Sequence, residues 1–401
     1  MPSWKGRLKA KSGRLVLLKA NLIPLALYML TVHRLPAWTL KRMVQLCRAW
    51  LWNGGNVCNG GQCRVAWNLI CRPKHLGGLG ILDFAKFGTA LRLRWLWLKW
   101  QEPNRPWAND QLPCKENEQS LFAMATEISL GDGAIASFWH DRWLNGCCPK
   151  VIAPRLFKIS SRKNRLVKDA LNNDTWLSDL ARGLEDLMVP EVIKLAQLLD
   201  EVQLNVEQRD TIKWRFTADG EYSARTAYLA QFEGSIPMEG FKLIWSAWAT
   251  GKSKFFLWTA TLGKILTADA LLRRGWENNY FSPLCERNLE TPSHLLIECP
   301  WTSIIWDSIA TLTNIQSLKP ASWSNATDIK EWMNRCHLQA PCGKKKGTLS
   351  LIHLIAWEVW RERNRRIFQQ ESLPSTVMVQ MIREEIILWN MAGAGIPFDP
   401  G

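Results

Sequence analysis

Acidic residues are almost absent from the first quarter of the chain. Residues 1–100 contain eight Lys and nine Arg against one acid, Asp83, which gives this segment a net charge of +16. The whole chain of 401 residues carries +15, so the remainder sums to −1. A single acid excludes a two-metal active site built from clustered carboxylates in this segment. The basic excess predicts a polyanionic partner, RNA or DNA; the alternative is a remnant of contacts with a neighbouring domain now absent.

Targeting signals are also missing. Met1 leads into residues 4–7, Trp-Lys-Gly-Arg, without the short apolar region and small-residue cleavage site of a signal peptide. The apolar run from Leu15 to Val32 is interrupted by a lysine, an asparagine and a proline, which argues against a membrane span. The eleven cysteines are odd in number and scattered. We expect an intracellular protein, nuclear or cytoplasmic, with reduced or metal-bound thiols and no membrane partner.

A phosphate-binding loop is lacking as well. The glycine-rich run at residues 77–80, Gly-Gly-Leu-Gly, is not followed by the Gly-Lys-Ser/Thr that completes a phosphate cradle. We therefore expect no small-molecule substrate.

Apolar residues and tryptophan are plentiful. Apolar residues make up 47% of the chain and 24 residues are Trp, which indicates a globular protein with large aromatic side chains in its core and interfaces. The hydrophobic periodicity predicts a mainly α protein with small β-hairpins (α+β) and tryptophan-rich helical modules. The predicted helices lie within residues 12–52, broken at Pro24 and Pro36, and at 349–369 and 377–391, with an unstructured tail beyond.

Glycine-centred turns predict the strands. Residues 128–144 read as a hairpin around Gly131-Asp132-Gly133, and residues 212–222 as a second hairpin around Ala218-Asp219-Gly220. Ser223 is then placed to cap the helix that follows. Residues 101–125 are predicted to form a loop.

Cysteine and histidine crowd together at one place in the chain. Cys285, His294 and Cys299 follow the spacing Cys-x8-His-x4-Cys, which offers three ligands of the type that bind structural zinc, while a fourth is not obvious. The alternative is a metal-free helical turn packed by neighbouring leucines and a tryptophan. A second set has a non-standard spacing and is interpreted as unconnected residues: Cys58, Cys63, Cys71 and His75.

The residues around this triad resemble the zinc-binding domain that follows the reverse transcriptase in plant LINE-type (non-LTR) retrotransposons. That family has Cys-Pro-x-Cys, Glu-Thr, His-Leu, Cys and Trp in this order, and Phe-Phe-Leu-Trp before them. The matching positions are Phe255–Trp258, Ser282–Cys285, Glu290-Thr291, His294-Leu295, Cys299 and Trp306. Upstream, Val65-Ala66-Trp67, the glycine run at 77–80 and Phe138-Trp139 also match family motifs.

The resemblance implies a division of the chain and a role for it. It implies a basic, thumb-like segment at residues 1–112, a linker region at 113–235, the zinc-binding-like domain at 236–312 and a helical tail at 313–401. Ser282 replaces the family's first cysteine, and a hydroxyl is a poor zinc ligand, so zinc binding is expected to be weakened. The paired aspartates of the polymerase palm are absent, and endonuclease and ribonuclease H modules would lie outside the chain.

We therefore expect a truncated, non-enzymatic, nucleic-acid-binding fragment of a transposable element. The alternative is a relic without a ligand that persists only as a folded interaction surface. Basic residues in the thumb-like segment and beside the triad are the candidate nucleic-acid contacts: Lys41, Arg42, Arg48, Arg92, Arg94, Lys252, Lys254, Arg273 and Arg274.

Overall fold

The computed structural model describes residues 9–110, 112–180, 184–323, 326 and 328–398. This part of the chain is mostly helical and contains one two-stranded antiparallel sheet, so the predicted mainly α class is confirmed. It divides into two compact units. The first comprises the described residues up to Leu25, then Ala37–Leu82 and those from Ser235 onward; the second comprises Ala26–Pro36 and Asp83–Gly234. The four-segment division drawn from the sequence stays a prediction.

The elements are numbered in chain order. The helices of the first 125 residues are α1 (Lys11–Leu17), α2 (Ile23–Val32), α3 (Ala37–Asn53), α4 (Trp67–Cys71), α5 (Phe84–Gln101) and α6 (Glu116–Ala125). Strand β1 (Thr126–Ser129) is followed by α7 (Pro149–Ile152), α8 (Pro154–Ile159), α9 (Val167–Leu171), α10 (Thr175–Ser178) and α11 (Val189–Asp200). Strand β2 (Thr211–Trp214) is followed by α12 (Ala224–Ala230), α13 (Phe241–Ser246), α14 (Gly251–Thr261), α15 (Ala268–Leu272), α16 (Pro300–Thr313), α17 (Ile329–Gln339), α18 (Lys345–Phe368) and α19 (Ser375–Met391).

Helix α18 is the centre of the first unit. Residues Gly347–Ala356 are buried without interruption, as expected for a helix that is covered on all sides. Helices α13, α14, α17 and α19 pack against it. Beside it, Trp306, Trp323 and Trp332 are fully buried and contact one another edge to face, with ring centroids 5.2–5.9 Å apart.

The N-terminal helix differs from the prediction at one of its two prolines. Helix α3 begins directly after Pro36, as predicted. The chain does not break at Pro24, because the preceding residues Leu18–Leu22 form a π-helical turn. A proline removes one N–H and crowds the carbonyl four residues earlier, and the wider i→i+5 turn changes the hydrogen-bonding pattern where that clash would fall.

The stretch Lys11–Thr31 is long and apolar enough to cross a membrane by length and composition alone, and it lies near the N-terminus. Two of its basic side chains are engaged within the first unit. Arg14 Nη1 donates to the carbonyl oxygen of Trp52 at 3.1 Å, and Lys19 Nζ donates to that of Leu79. These contacts favour packing against protein, and the absence of a membrane partner stays a prediction.

The first strand of each predicted hairpin forms in part, but the predicted pairing within each hairpin is wrong. Strand β1 pairs antiparallel with β2, with Thr126 opposite Trp214 and Ser129 opposite Thr211. The segments that were expected to be the returning strands, after Gly133 and after Gly220, are turns and irregular backbone. The predicted cap is confirmed, since Ser223 Oγ accepts from Thr226 N at 3.1 Å.

A single buried carboxylate explains why the first hairpin does not form. Asp210 Oδ1 accepts from the backbone N–H groups of Gly131 and Gly133 at 2.8 and 2.9 Å. Its Oδ2 accepts from those of Ile135 and Ala136 at 2.9 and 3.0 Å. These four donors would otherwise be free to pair in a strand, so the chain winds around the carboxylate instead. A Cβ at Gly131 would lie 2.2 Å from the carbonyl oxygen of Gln208, which leaves room only for glycine.

Two segments predicted to be irregular are ordered. The expected loop at 101–125 contains helix α6. The expected unstructured tail packs on α18: a Cβ at Gly347 would lie 2.1 Å from the carbonyl oxygen of Gly395, and Ile396 is 3% exposed. Asn390 fixes this tail through paired hydrogen bonds with the backbone of Ile396 at 2.7 and 2.8 Å.

Replacing Asp210 with alanine is expected to loosen the second unit, because four backbone donors lose a charged acceptor. We expect a loss of about 3 kcal/mol of local stability, measured by hydrogen exchange of the amides of residues 131–136. The control is Asp132→Ala in the same loop, which removes one hydrogen bond, from Ala134 N. Similar exchange in both variants would contradict the role given to Asp210.

Candidate metal centre

The predicted ligand triad comes together in the first unit. The ligand atoms of Cys285, His294 and Cys299 all lie within 4.8 Å of one another, and Cys285 Sγ is 3.4 Å from His294 Nε2. Tetrahedral zinc bound by sulfur and nitrogen places its ligands roughly 3.5–3.8 Å apart, given Zn–S of about 2.3 Å and Zn–N of about 2.0 Å. Cys299 and His294 are buried and Cys285 is half-buried. Among the described residues, this is the one group of three or more His, Cys, Asp or Glu with such spacing.

A π-helical turn, His294–Glu298, sets the geometry of two ligands. The N–H of Cys299 donates to the carbonyl oxygen of His294 at 2.8 Å, an i→i+5 bond. In an α-helix, positions five apart would point about 140° away from each other. The wider turn instead brings the two side chains to the same side.

Side chains that follow the π-helical turn donate hydrogen bonds to its backbone carbonyl oxygens. Thr302 Oγ1 donates to the carbonyl oxygen of Leu295, and Trp306 Nε1 donates to that of Leu296, both at 2.9 Å. Both donors lie on α16 and both are fully buried. The tryptophan of the family frame therefore supports the backbone that positions His294 and Cys299.

The ligand loop, residues 282–285, supplies Cys285 and places Ser282 beside it. Ser282 N donates to the carbonyl oxygen of Asn288, and Glu286 N donates to that of Ser282, each at 2.8 Å. Ser282 is 0% exposed; its hydroxyl accepts from Leu284 N at 3.4 Å and helps to lower the pKa of the neighbouring Cys285 thiol. A hydroxyl thus stands next to the three ligands, where the family has a thiol. The residues present fit a metal held by two cysteines and one histidine.

Local electrostatics prepare two of the ligands for a cation. Burial opposes ionisation of Cys285, but hydrogen bonds from the backbone of Arg287 and Asn288 outweigh it and lower the pKa of this thiol. Burial also lowers the pKa of His294, which favours the neutral imidazole that binds metal. Burial and the neighbouring Cys285 raise the pKa of Cys299. Of the two thiols, Cys285 is therefore the one whose surroundings favour the thiolate that binds metal.

Helix α18 holds the ligand loop in place through two arginines. Arg363 Nε and Nη2 donate to the two oxygens of Glu290 at 2.7 and 2.8 Å, and both side chains are almost fully buried. Glu290 also accepts from Ala268 N at 2.7 Å, at the start of α15. Arg366 Nη1 donates to the carbonyl oxygens of Pro283 and Leu284, both at 3.1 Å. We name these contacts the arginine clamp.

The arginine clamp was not predicted from the sequence. Arg363 and Arg366 lie near the end of α18 and have a structural role. Their partners lie 73 to 83 residues away in the chain, beyond the reach of a local pattern. Glu290 in the family frame was the one signal that could have pointed to them.

The candidate nucleic-acid residues fall into different environments. In the first unit Lys41, Arg42 and Lys252 are exposed, whereas Arg48 and Lys254 are half-buried. Two others there already have local partners: Arg273 pairs with Asp269 at 2.8 Å, and Arg274 donates to the carbonyl oxygen of Gly61 at 3.0 Å.

In the second unit Arg94 is exposed and Arg92 is not. Arg92 is 7% exposed, and its guanidinium binds both carboxylate oxygens of Glu118. A buried, paired arginine cannot reach a phosphate, so the interpretation of Arg92 as a nucleic-acid contact is corrected to a structural one. The sequence could not show this because Glu118 lies 26 residues away.

The second cysteine set does not assemble into a metal site. Cys58 Sγ and Cys63 Sγ are 3.0 Å apart, but Cys71 is buried and His75 is exposed. The four residues do not form one metal-ligating group in the described part of the chain, although Cys58 and Cys63 are in contact.

The comparisons with known proteins agree with this centre. Residues 222–306 match the family described as zinc-binding in reverse transcriptase, so the chain carries a reverse transcriptase zinc-binding domain. It is also 23% identical over 410 residues to a protein of Arabidopsis thaliana named "Putative ribonuclease H protein". The alignment covers 93% of this chain and 63% of that relative. The chain thus spans less than two thirds of the relative's length. Both findings fit a protein derived from a plant retrotransposon, as the sequence motifs predicted.

Replacing Ser282 with cysteine is expected to strengthen metal binding, because a third thiolate would complete a four-ligand site. We expect zinc affinity to rise at least about tenfold, about 1.4 kcal/mol, measured by competition with a chelating dye. Ser246→Cys, at an exposed position, controls for the extra thiol. Equal zinc content and equal thermal stability in the serine and cysteine forms would contradict the assigned fourth position.

Replacing Glu290 with glutamine is expected to destabilise the first unit, because it leaves the buried Arg363 without its counter-charge. We expect a loss of about 3–5 kcal/mol, measured by chemical denaturation. The control is Glu331→Gln, which breaks the half-exposed pair with Arg335 and is expected to cost at most about 1 kcal/mol. Equal losses of unfolding free energy in the two variants would show that the buried ion pair stabilises the protein no more than the half-exposed one.

Proposed function

We propose that this chain is a nucleic-acid-binding, non-cleaving part of a LINE-type (non-LTR) retrotransposon protein. The observation that carries the proposal is a reverse transcriptase zinc-binding domain whose Cys285, His294 and Cys299 converge on one point. When bound there, zinc would act structurally by joining the ligand loop to the π-helical turn. Ser282 and the arginine clamp support the same connection from the protein side.

The charge distribution supports a nucleic-acid partner. The +16 of residues 1–100 includes exposed cations on two helices, with Lys41 and Arg42 on α3 and Arg94 on α5. Lysine and arginine that neutralise phosphates release counterions and provide affinity without sequence preference. We accordingly assign residues 1–112 a backbone-binding role and residues 236–312 the zinc-binding domain, with 113–235 as a connecting region and 313–401 as helical support.

The chemistry of the metal centre supports binding rather than catalysis. A catalytic zinc site keeps one position open for water or substrate, whereas a structural site is closed by the protein. Here the buried Ser282 hydroxyl lies beside the three candidate ligands, at the place where the family has its fourth protein ligand. The relative is named for ribonuclease H, and this chain spans part of its length. We propose that the shared part holds nucleic acid and that it does not cut it.

A second candidate is a relic that serves only as an interaction surface. Large apolar side chains are exposed on the N-terminal helices: Leu25 is 76% exposed, Tyr28 81% and Trp38 73%. Exposed apolar residues of this size are typical of protein contacts. This candidate predicts no affinity for nucleic acid.

Binding of labelled single-stranded RNA to the full chain should weaken steeply with salt. We expect a slope of log K against log salt of about −3, which corresponds to about four phosphate contacts. The double variant Lys41→Gln/Arg42→Gln should reduce the slope by about 1.4, since each contact contributes about 0.7. Fluorescence anisotropy at several salt concentrations measures both.

The matched control is Lys158→Gln/Lys168→Gln, which removes two exposed lysines outside the basic quarter and should leave the slope unchanged. No binding at low salt would remove the proposed function in favour of the interaction surface. An unchanged salt slope in the Lys41→Gln/Arg42→Gln variant would show that the phosphate contacts lie elsewhere than on α3.

A further inference from the structure

The first unit contains a cavity of about 870 Å³ next to the metal centre. Its lining includes Ser282 and Pro283 of the ligand loop and residues of α1, α14 and α18. Two kinds of side chain stand out in this lining: cations that have no ion pair, and aromatic rings that contact no other ring, among the described residues.

The cations are crowded against one another. Lys11 and Arg64 line the cavity with the exposed Lys252. Burial, with Arg64 and Arg14 nearby, lowers the pKa of Lys11 to about 8, and burial with Arg274 nearby lowers that of Arg64 to about 10. Among the described residues neither side chain has an ion pair, although Lys11 lies 5.8 Å from the Trp52 ring centroid. A bound anion would relieve this repulsion.

The acids of the lining do not supply that anion. Glu290 is engaged by Arg363, and Glu286 is exposed and has no cation within ion-pair distance in the described residues. The cavity therefore has a positive part that its own walls leave uncompensated. An anionic ligand such as a phosphate matches it in charge.

The aromatic rings are exposed at the same cavity. Trp276 is 67% exposed, Phe281 48% and Phe368 77%. None of the three pairs with another ring within the described ranges, unlike Trp360, which stacks on Phe256 at 5.3 Å. Unpaired rings beside a basic groove are the arrangement on which unpaired bases stack in single-strand binding proteins. A duplex keeps its base faces stacked and cannot use them.

The side-chain oxygen of Asn278 bears on whether the cavity fits RNA or DNA. Asn278 lines the cavity, and its Nδ2 donates to the carbonyl oxygens of Ala268 and Trp276 at 3.2 and 3.0 Å. Its Oδ1 is closed to solvent and has no partner among the described residues, so a ligand donor reaches it only when the neighbouring side chains move. The ribose 2′-OH is a donor that RNA has and DNA lacks, and we assign it to this oxygen when the cavity is filled.

We propose that this cavity is a binding site for single-stranded RNA, with Lys11, Arg64 and Lys252 on the phosphates and Trp276, Phe281 and Phe368 stacking on bases. Asn278 Oδ1 accepts from a 2′-OH in this arrangement. The proposal rests on the proposed function and assigns it a site next to the ligand loop, with cations other than those of α3.

Two single substitutions in the full chain test the site with short labelled RNA. Trp276→Ala should weaken binding roughly 5- to 100-fold, the loss of one base stack. Arg64→Gln should lower the salt slope by about 0.7, the loss of one single-strand phosphate contact, and should fold normally because it removes a repelled cation. The matched controls are Trp38→Ala, another exposed tryptophan, and Lys242→Gln, another exposed cation; both should bind as the unchanged chain does.

Photo-crosslinking of 4-thiouridine RNA gives a readout that does not depend on variants. Adducts mapped by mass spectrometry are expected at Trp276, Phe281 or Phe368, and Phe368→Ala replaces Trp276→Ala if the latter does not fold. Unchanged affinity and slope in both cavity variants, or adducts confined to other segments, would overturn the site while the proposed function stands. DNA of the same sequence should bind more weakly, and equal binding would overturn the choice of RNA. A chain that binds no nucleic acid would remove both proposals together.

Discussion

The buried ion pair between Glu290 and Arg363 is the contact on which the zinc-binding domain depends. Two desolvated charges are stable only when each satisfies the other, so this pair fixes the distance between the ligand region and α18. Glu290 extends the connection to α15 through Ala268 N, and Arg366 extends it to the ligand loop. The metal ligands are therefore held by a central helix that contributes no ligand itself.

Features that depend on residues close together in the sequence were predictable, and features that depend on distant residues were not. The triad was visible because its members lie within fifteen residues of one another, and the Ser223 cap and the start of α3 followed from one or two residues. The first hairpin failed because Asp210 captures donors that lie 74 to 79 residues earlier in the chain. Helix continuity at Pro24 could not be expected, because it depends on a π turn that no propensity signals.

Net charge alone overstates the cations available to a partner. Within the basic first quarter, Arg14 and Lys19 bind backbone carbonyls and Arg92 binds Glu118. Others, such as Lys41, Arg42 and Arg94, remain exposed. The sequence shows how much charge is present, whereas burial and partners determine how much of it can meet a phosphate.

The arginine clamp also affects how this domain tolerates change over generations. Backbone hydrogen bonds and Arg366 hold the ligand loop with a serine at 282, so exchange of that thiol for a hydroxyl is expected to reduce metal affinity while the loop keeps its form. Exchange of Glu290 or Arg363 has the opposite effect, because it strands a charge in the interior. Lineages descended from such a domain can thus lose the metal first and the architecture much later.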